Sequence, residues 1–270
     1  MSIPFGHHEL HNRYIFVGAL EVVTPLKISA GIASQHTDAP FMSDFSGRPY
    51  IPGSSIRGAI RAEVERIVSA LDSRKTGITT CISFEKGNCA DKVKDFQKQL
   101  ADNQGAGTDS DIADARLAEF MEEKFCDVCR LFGTAGYATR IFFEDCKLLG
   151  GESTAMLIRD GVGIDRDTGS AREGAKFDYE VIEKGCFSFR MTAENLELSG
   201  PDKKLVNLIL SLLISGIFVG GKRAGGMGKL KLKPDYSVSG FKNPESLWAE
   251  VSKGKTPYSP IDWNKEAEKC

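Results

Sequence analysis

Residues 216–230 read GIFVGGKRAGGMGKL, and this is the most informative stretch of the chain. An apolar segment with helical periodicity precedes it, and the alternating KLKLK of residues 229–233 follows it, as in a β-strand. Its glycines permit sharp turns and close approach by another chain, while Lys222 and Arg223 attract anions. We therefore expect a loop between a helix and a final strand that holds a phosphate backbone.

Known nucleotide-binding patterns do not fit this glycine loop, which we define as residues 216–228. No Gly-Lys-Ser/Thr sequence closes it, as a Walker A loop requires, and no Gly-x-Gly-x-x-Gly dinucleotide pattern is present. The simpler alternative is a flexible surface loop between a helix and the last strand. At the level of this motif alone, that alternative stays open.

Length and composition favour a folded protein with a hydrophobic core. The chain has 270 residues, of which 41% are hydrophobic, which is enough for one large domain or two small ones. The N-terminus has neither the basic region nor the apolar core of a signal peptide, and apolar runs such as residues 208–219 are too short to span a bilayer. We therefore expect a cytoplasmic protein with no membrane partner.

Charge is segregated along the chain, although the formal net charge is only −2. Residues 203–234 contain seven lysines or arginines and no acid, and residues 45–62 contain arginines, including Arg57 and Arg61, without an acid. Residues 101–123 are mostly acidic. Because local patches decide where a polyanion binds, the two acid-free segments are candidate polyanion sites.

The apolar periodicity predicts a β-α-β-β-α-β order, which is the ferredoxin-like arrangement of an α+β fold. The predicted elements are a strand at 13–23, a helix at 56–71, strands at 139–149 and 177–192, a helix at 202–215 and the strand at 229–233. A polar, glycine-punctuated segment at 158–176 precedes the third strand and indicates a projecting hairpin.

Three further segments lie outside that pattern. Residues 1–12 form an N-terminal arm, residues 72–130 form a polar insertion after the first helix, and residues 233–270 form a proline-containing tail. We expect the tail to be an extended appendage. The domain itself therefore covers residues 13–232.

The seven cysteines are better explained as thiols or metal ligands than as disulfides. Cys126 and Cys129 form a Cys-x-x-Cys pair, and Cys81 and Cys89 form a looser pair, so four thiols are available for a tetrahedral zinc site. A structural Zn²⁺ would hold both ends of the insertion to the core. The alternatives are a redox Cys-x-x-Cys pair and cysteines that only pack.

Six segments together resemble the RAMP proteins of CRISPR effectors, in particular the Cas-seven group of type III complexes and its Csm-three-like backbone subunits. The segments are EVVTPLKISAG (21–31), the loop with Asp38-Ala39-Pro40, PYIPGSSIRGAIR (49–61), CRLFGTAG (129–136), IRDGVGIDRDTGSAREGAKFDYEVI (158–182) and GGKRAGGMGKLKL (220–232). The resemblance implies an RRM-like palm over residues 13–232. It also implies that residues 158–176 are a thumb hairpin that splays the duplex of guide and target RNA.

The same resemblance implies residues that bind the guide RNA (crRNA), with four cations at phosphates and four glycines that admit the RNA closely. These residues are Arg57, Arg61, Lys222, Arg223, Gly220, Gly221, Gly225 and Gly226. Such recognition reads the backbone and not the sequence of the guide. The expected partners are crRNA, single-stranded target RNA and other Cas subunits: a large polymerase-like subunit, a small subunit, capping RAMP subunits and further copies of this chain.

Cleavage, by the same resemblance, depends on Asp38. In similar subunits an aspartate in the loop after the first strand is required to cut target RNA, and Asp38 matches it. A carboxylate can hold a divalent cation, Mg²⁺ or Mn²⁺, that orients a phosphate, or it can position a 2′-hydroxyl for in-line attack. His36 is a further catalytic candidate as an acid or base, although a solvated role is simpler. Asp44 is a second carboxylate in the loop, and either aspartate could instead close a turn.

Two functions stay open from the sequence. The first is an endoribonuclease subunit that binds crRNA and cuts the paired target RNA through Asp38 and a divalent metal. The second is a non-catalytic RAMP assembly or capping subunit that only binds crRNA. A precursor-RNA processing enzyme is disfavoured, because such RAMP enzymes commonly use a histidine and no histidine constellation is visible.

Overall fold

A computed structural model describes residues 9–31, 37–82, 84–103, 120, 123–135, 137–150 and 155–267. Its strands are β1 (Arg13–Val22), β2 (Tyr50–Ile51), β3 (Ile141–Phe143), β4 (Cys146–Lys147), β5 (Ala155–Ile164), β6 (Ala171–Lys184), β7 (Cys186–Glu194), β8 (Ile217–Phe218), β9 (Lys229–Leu232), β10 (Ser237–Phe241) and β11 (Ser259–Pro260). Its α-helices are α1 (Gly53–Ala70), α2 (Ser73–Thr76), α3 (Cys89–Asn103), α4 (Asp127–Phe132), α5 (Pro201–Ser215) and α6 (Pro244–Val251).

Four strands form the centre of the palm in the order β9-β1-β7-β3, and every neighbouring pair is antiparallel. Along the chain these are the fourth, first, third and second strands of a β-α-β-β-α-β fold, and that spatial order is the ferredoxin-like one. The predicted α+β, ferredoxin-like fold is therefore confirmed. β1 is rich in apolar and β-branched residues, which suits a central strand. It pairs along nearly its whole length with β7.

Helices α1 and α5 both contribute to the hydrophobic core of the palm. The buried side chains of α1 recur every four residues, from Ile56 to Val68, which is the spacing of one helical face. The core combines side chains of both helices and of the sheet, among them Phe16, Leu20, Ile60, Val64, Phe187, Phe189, Met191, Leu205, Ile209 and Leu213. None of the helices in the described part of the chain has both the length and the apolar character that crossing a membrane requires.

β5 and β6 form a two-stranded hairpin that is a sheet of its own. It includes the hairpin predicted at 158–176 and extends it at both ends. The single strand predicted at 177–192 is wrong, because β6 ends at Lys184 and β7 begins at Cys186. Apolar side chains continue through both strands, so the pattern does not show where the chain passes from the hairpin to the palm.

The segment after β9 returns to the palm. β10 pairs with the first half of β1, and β11 pairs with β10. Trp263 is buried, with its ring centroid 5.3 Å from that of Tyr14 and 5.1 Å from that of Phe16, and its Nε1–H donates to Asn207 (2.8 Å). The sequence predicted an extended appendage here, whereas this segment supplies an edge strand and an aromatic side chain to the core.

Candidate functional site

The glycine loop is fixed to the segment that follows β1. The Gly221 N–H donates to the Lys27 carbonyl (2.9 Å), and the Gly228 N–H donates to the Pro25 carbonyl (2.8 Å). Gly220 has a φ of +82°, and a Cβ there would lie 2.1 Å from the Lys27 carbonyl oxygen, so a larger residue would force the two segments apart. The palm therefore holds the base of the loop in one conformation.

The tip of the glycine loop is open. Arg223–Gly225 make a 3-10 turn, which the chain enters through Lys222 at φ +57° and leaves through Gly226 at φ +82°. Within the described residues, no atom lies within 4 Å of a Cβ built on Gly225 or Gly226. Over the same part of the chain, neither Lys222 nor Arg223 pairs with a carboxylate. The tip thus presents two cations that no described acidic side chain neutralises.

Two lysines connect the glycine loop to the hairpin. Lys222 Nζ lies 4.5 Å from the ring centroids of Phe177 and Tyr179 on β6, and Lys27 Nζ lies 4.4 Å from that of Tyr179. Burial, and then the charge of Lys222, lower the pKa of Lys27. Phe177 packs over Gly161 of β5, where an added Cβ would meet the ring at 2.4 Å. We call these two lysines and two rings the lysine–aromatic cluster.

Asp38 is bound to the same hairpin strand. The Asp38 N–H donates to Asp178 Oδ1 (2.7 Å), and the Asp178 N–H donates to Asp38 Oδ2 (3.0 Å). A hydrogen bond with the Thr37 side chain, and then the bond from the Asp38 N–H, lower the pKa of Asp178. One residue on, the Ala39 carbonyl accepts from the Glu180 N–H (3.1 Å). The sequence did not single out Asp178, yet this residue positions the exposed Asp38.

The other two candidates of this loop have different outcomes. His36 lies outside the described residues. Asp44 accepts hydrogen bonds from the N–H groups of Ser46 (2.9 Å) and Arg48 (3.0 Å), and from Arg48 Nε (3.2 Å). These contacts, with the Arg48 N–H contributing most, lower the pKa of Asp44. Asp44 therefore closes a turn.

The four cysteines of the insertion meet at one point, which we call the cysteine cluster. Their sulfurs all lie within 4.8 Å of one another. The separations are 3.5 Å for Cys81 and Cys129, and 3.7 Å for Cys81 and Cys89 and for Cys89 and Cys126. A zinc ion bound by four thiolates at about 2.3 Å holds its sulfurs about 3.8 Å apart, so these distances suit a tetrahedral metal site. The four cysteines could therefore hold a metal ion.

The surroundings of the cysteine cluster hold its two halves together. The Asp127 carboxylate accepts from the N–H and from the hydroxyl of Thr79, both at 2.7 Å. Three of the four cysteines are buried. Hydrogen bonds with Cys126 and then Cys129 lower the pKa of Cys89 to about 4, whereas those with Cys126 and then Cys89 raise the pKa of Cys129. The thiolate is the form of cysteine that binds metals.

A family comparison covers all of these features. The family model of the RAMP superfamily matches residues 19–231. The chain belongs to the RAMP superfamily. The match runs from β1 to β9, so it contains the Asp38 loop, the cysteine cluster, the hairpin and the glycine loop. No match to this sequence is found among curated proteins.

RAMP membership confirms the resemblance seen in the sequence motifs. It suggests a CRISPR-associated subunit that binds RNA. The narrower assignment to the Cas-seven group of type III complexes stays a prediction.

In this RAMP palm, Arg57 and Arg61 of α1 reach the end of α4. Arg57 donates to the Phe132 carbonyl, and Arg61 donates to the Gly133 carbonyl (2.8 Å) and to Cys129 Sγ (3.4 Å). Burial, and then the charge of Arg61, lower the pKa of Arg57. Both guanidiniums therefore have partners inside the protein, and their expected contact with RNA phosphates stays a prediction.

A groove that the sequence did not predict borders the glycine loop of this RAMP protein. Its volume is about 560 Å³, and it runs between α1, the end of α5 and β8. Arg223 lines it together with Arg66, which pairs with Glu63 (2.6 Å). Its apolar lining consists of Ala59, Ala62, Leu212, Gly216, Ile217 and Phe218. On α1 the lining residues are Ala59, Ala62, Glu63 and Arg66, which follow the helical spacing of three and four positions and so share one face.

Proposed function

We propose that this RAMP protein is a backbone subunit of the Cas-seven group in a type III CRISPR effector. It binds crRNA along its backbone and cleaves the paired target RNA by metal-dependent endonucleolysis. The observation that supports this proposal best is the position of Asp38. This exposed carboxylate is hydrogen-bonded to Asp178, on the same strand whose rings contact Lys222 of the glycine loop. A guide–target duplex held by the loop would therefore pass the middle of the hairpin, where Asp38 is bound to Asp178.

Guide binding would use the open tip of the glycine loop. Lys222 and Arg223 would contact phosphates, and Gly225 and Gly226 would leave room for the RNA backbone. Gly220 and Gly221 serve the same end indirectly, because they fix the base of the loop to the palm. Contacts of this kind do not depend on the guide sequence.

The hairpin has the surface expected of a thumb that separates paired strands. Met156, Ile158 and Val162 alternate along β5, so they share one face, and they are 44–55% exposed; Leu157, on the opposite face, is 46% exposed. A two-stranded sheet offers no second layer to cover such side chains. Exposed apolar side chains can pack against nucleobases, which supports the role of the hairpin as a wedge in the duplex.

The Asp38 carboxylate suits a divalent cation at the site of cleavage. One of its oxygens accepts the Asp178 N–H, and the exposed side chain leaves the other oxygen accessible. Mg²⁺ is commonly bound through one or two carboxylates together with substrate phosphates. When bound, Mg²⁺ or Mn²⁺ would neutralise charge on the scissile phosphate. Asp38 itself would hold the cation, or the attacking 2′-hydroxyl, in a fixed position.

The decisive experiment compares Asp38→Ala with Asp44→Ala in the reconstituted effector complex. We expect Asp38→Ala to lower the rate of target cleavage by about 100-fold or more while crRNA binding is retained. Asp44→Ala is the matched control, because Asp44 closes a turn in the same loop. Cleavage would be followed on a labelled target RNA by denaturing electrophoresis.

Two results would redirect this proposal. Undiminished cutting by the Asp38→Ala complex would remove Asp38 from the reaction. A wild-type complex that assembles on crRNA and binds target RNA without cutting it would favour the alternative, a non-catalytic RAMP assembly or capping subunit.

The proposal also specifies partners, and their association with this chain can be tested by co-purification from cytoplasmic extract. They are crRNA, single-stranded target RNA, a large polymerase-like subunit, a small subunit, capping RAMP subunits and further copies of this chain. Recovery of this chain in several copies on one crRNA would support a backbone position, and recovery in a single copy at one end would support a capping position.

We further propose that the cysteine cluster holds a structural Zn²⁺. The ion would join the segment with Cys81 and Cys89 to the segment with Cys126 and Cys129, and so hold both ends of the insertion. Elemental analysis of the purified protein should give about one zinc per chain. Cys126→Ser should lose the zinc and lower the melting temperature, whereas Cys146→Ser, at a buried cysteine outside the cluster, should retain it. Zinc-free wild-type protein would contradict this assignment.

A further inference from the structure

We infer that Arg61 belongs to the zinc site, where its guanidinium binds the Cys129 sulfur from outside the coordination sphere and balances the charge of the four thiolates. The inference rests on the proposed zinc site. It gives Arg61 a role different from the RNA contact expected from the sequence.

The geometry of the Arg61 side chain supports this role. Its three nitrogens bind three different partners: Nη2 donates to Cys129 Sγ (3.4 Å), Nη1 to the Gly133 carbonyl (2.8 Å) and Nε to Glu65 (2.7 Å). Only 18% of the side chain is exposed. A guanidinium held at all three nitrogens has one orientation, and in that orientation it faces the cluster.

The charge of the site supplies the physical reason for a cation at this place. Zn²⁺ with four thiolates carries a formal charge of about −2. Three of the cysteines are buried, and a net charge in a poorly solvated region is unfavourable unless an opposite charge or hydrogen-bond donors compensate it. Among the described residues, the Cys126 N–H donates to Cys89 Sγ (3.4 Å), and Arg61 adds a donor that is positively charged.

Among the contacts described for this part of the chain, Glu65 and Arg57 are charged groups in contact with, or next to, this guanidinium. Glu65 accepts from Arg61 Nε, next to the Nη2 group that donates to the sulfur, and so fixes the rotamer. Arg57 binds the Phe132 carbonyl at the same end of α4, and burial together with the charge of Arg61 lowers its pKa. Two neighbouring guanidiniums repel each other, and an anionic cluster beside them would relieve that repulsion.

Arg57 is also the matched control, because both arginines hold the end of α4 but only Arg61 has a hydrogen bond to a cysteine sulfur among the described contacts. We would measure zinc affinity of the full-length chain by competition with a chromophoric chelator for wild type, Arg61→Gln and Arg57→Gln. The Co²⁺-substituted proteins would give the thiolate-to-cobalt charge-transfer bands. Circular dichroism would verify that each variant is folded.

We expect Arg61→Gln to weaken zinc binding by about 10- to 100-fold and to shift the charge-transfer bands, because partners of metal ligands have effects of this size. Arg57→Gln should stay within about threefold of wild type. If Arg61→Gln does not fold, Arg61→Lys and Arg57→Lys provide the same comparison, since lysine keeps the charge but loses the forked geometry. We then expect a smaller loss of zinc affinity, and only for the variant at position 61.

Three outcomes would overturn the inference, and they are distinguishable. Equal zinc affinity in the Arg61 and Arg57 variants would reduce Arg61 to a cap of α4. If Arg61→Gln left zinc affinity unchanged and lowered the slope of log crRNA affinity against log salt by about 0.7, Arg61 would be assigned to an RNA phosphate. Wild-type protein that binds neither Zn²⁺ nor Co²⁺ would remove the zinc site itself, and with it this role of Arg61.

Discussion

Replacing Lys222 and Arg223 together by glutamine should weaken binding of guide RNA and make it less sensitive to salt. Both cations lie on the exposed tip of the glycine loop, and within the described residues neither is neutralised by a carboxylate. A cation that binds a phosphate displaces condensed counterions, and this release is what makes the affinity fall as salt is added. Glutamine removes the charge, keeps a polar side chain, and at Lys222 adds no β-branched side chain to a backbone already at φ +57°.

The size of the effect follows from the number of phosphates that the two cations neutralise, because each one releases condensed counterions. Each contact with a single strand contributes about 0.7 to the slope of log affinity against log salt, so the pair contributes about 1.4. Between about 50 and 200 mM salt, this difference changes the affinity ratio of wild type to variant about sevenfold, or about 1.2 kcal/mol. Lys222 lies 4.5 Å from two rings, and giving up such contacts costs about 0.5–1 kcal/mol each. Arg223 should therefore account for the larger share.

The assay is fluorescence anisotropy of labelled crRNA over a series of salt concentrations, together with thermal melting of each variant. The matched control replaces Lys253 and Lys255 by glutamine. These two exposed cations also lie close together, and their replacement removes the same charge. They are next to α6 and away from the glycine loop in sequence. An unchanged slope in the Lys222 and Arg223 variant, or an equal change in the control, would refute the phosphate clamp.

Two other substitutions test positions that the structure brought to light. Asp178→Ala should lower target cleavage at least about tenfold with little effect on crRNA binding, because it removes the acceptor of the Asp38 N–H. The control is Asp160→Ala, at the cross-strand neighbour on β5, which should leave cleavage unchanged. Equal cleavage by the two variants would show that Asp178 does not position Asp38. Trp263→Ala should lower the free energy of unfolding, measured in urea, by about 3–5 kcal/mol, because the side chain is buried. Trp248→Ala, at a side chain that is 72% exposed, should lower it by less than about 0.5 kcal/mol. A small effect at Trp263 would mean that the palm does not need the C-terminal segment.

The palm could be predicted because its elements carry their own periodicity. The apolar positions of α1 recur on one face, and β1 is mostly apolar and β-branched, so both were placed within a few residues. β10 and β11 are short, β10 pairs with the first half of β1, and β11 pairs with β10; no local pattern encodes these partners. Trp263 likewise acquires its place from Tyr14 and Phe16, which lie far away in sequence.

The candidate site could be predicted where a motif is recognisable from its own residue spacing. The Cys-x-x-Cys spacing signalled a metal site, and the structure brings Cys81 and Cys89 to it. The partners of Arg57 and Arg61 are backbone carbonyls at the end of α4, which carry no sequence signature. Asp178 was missed because it is one polar residue in an alternating strand, where solvent exposure is the ordinary explanation.

The reciprocal bond between Asp38 and Asp178 has a consequence for how cutting could be coupled to target binding. The N–H groups of Asp178 and Glu180 donate to the Asp38 loop, and the next one along β6, that of Ile182, donates to Leu26. These three residues alternate along β6, so one strand edge holds both the Asp38 loop and the chain leading from β1. Lys222 contacts rings on the same strand. A displacement of the hairpin by a bound duplex would therefore move Asp38 with it, and the carboxylate would keep its place relative to the RNA that the hairpin engages.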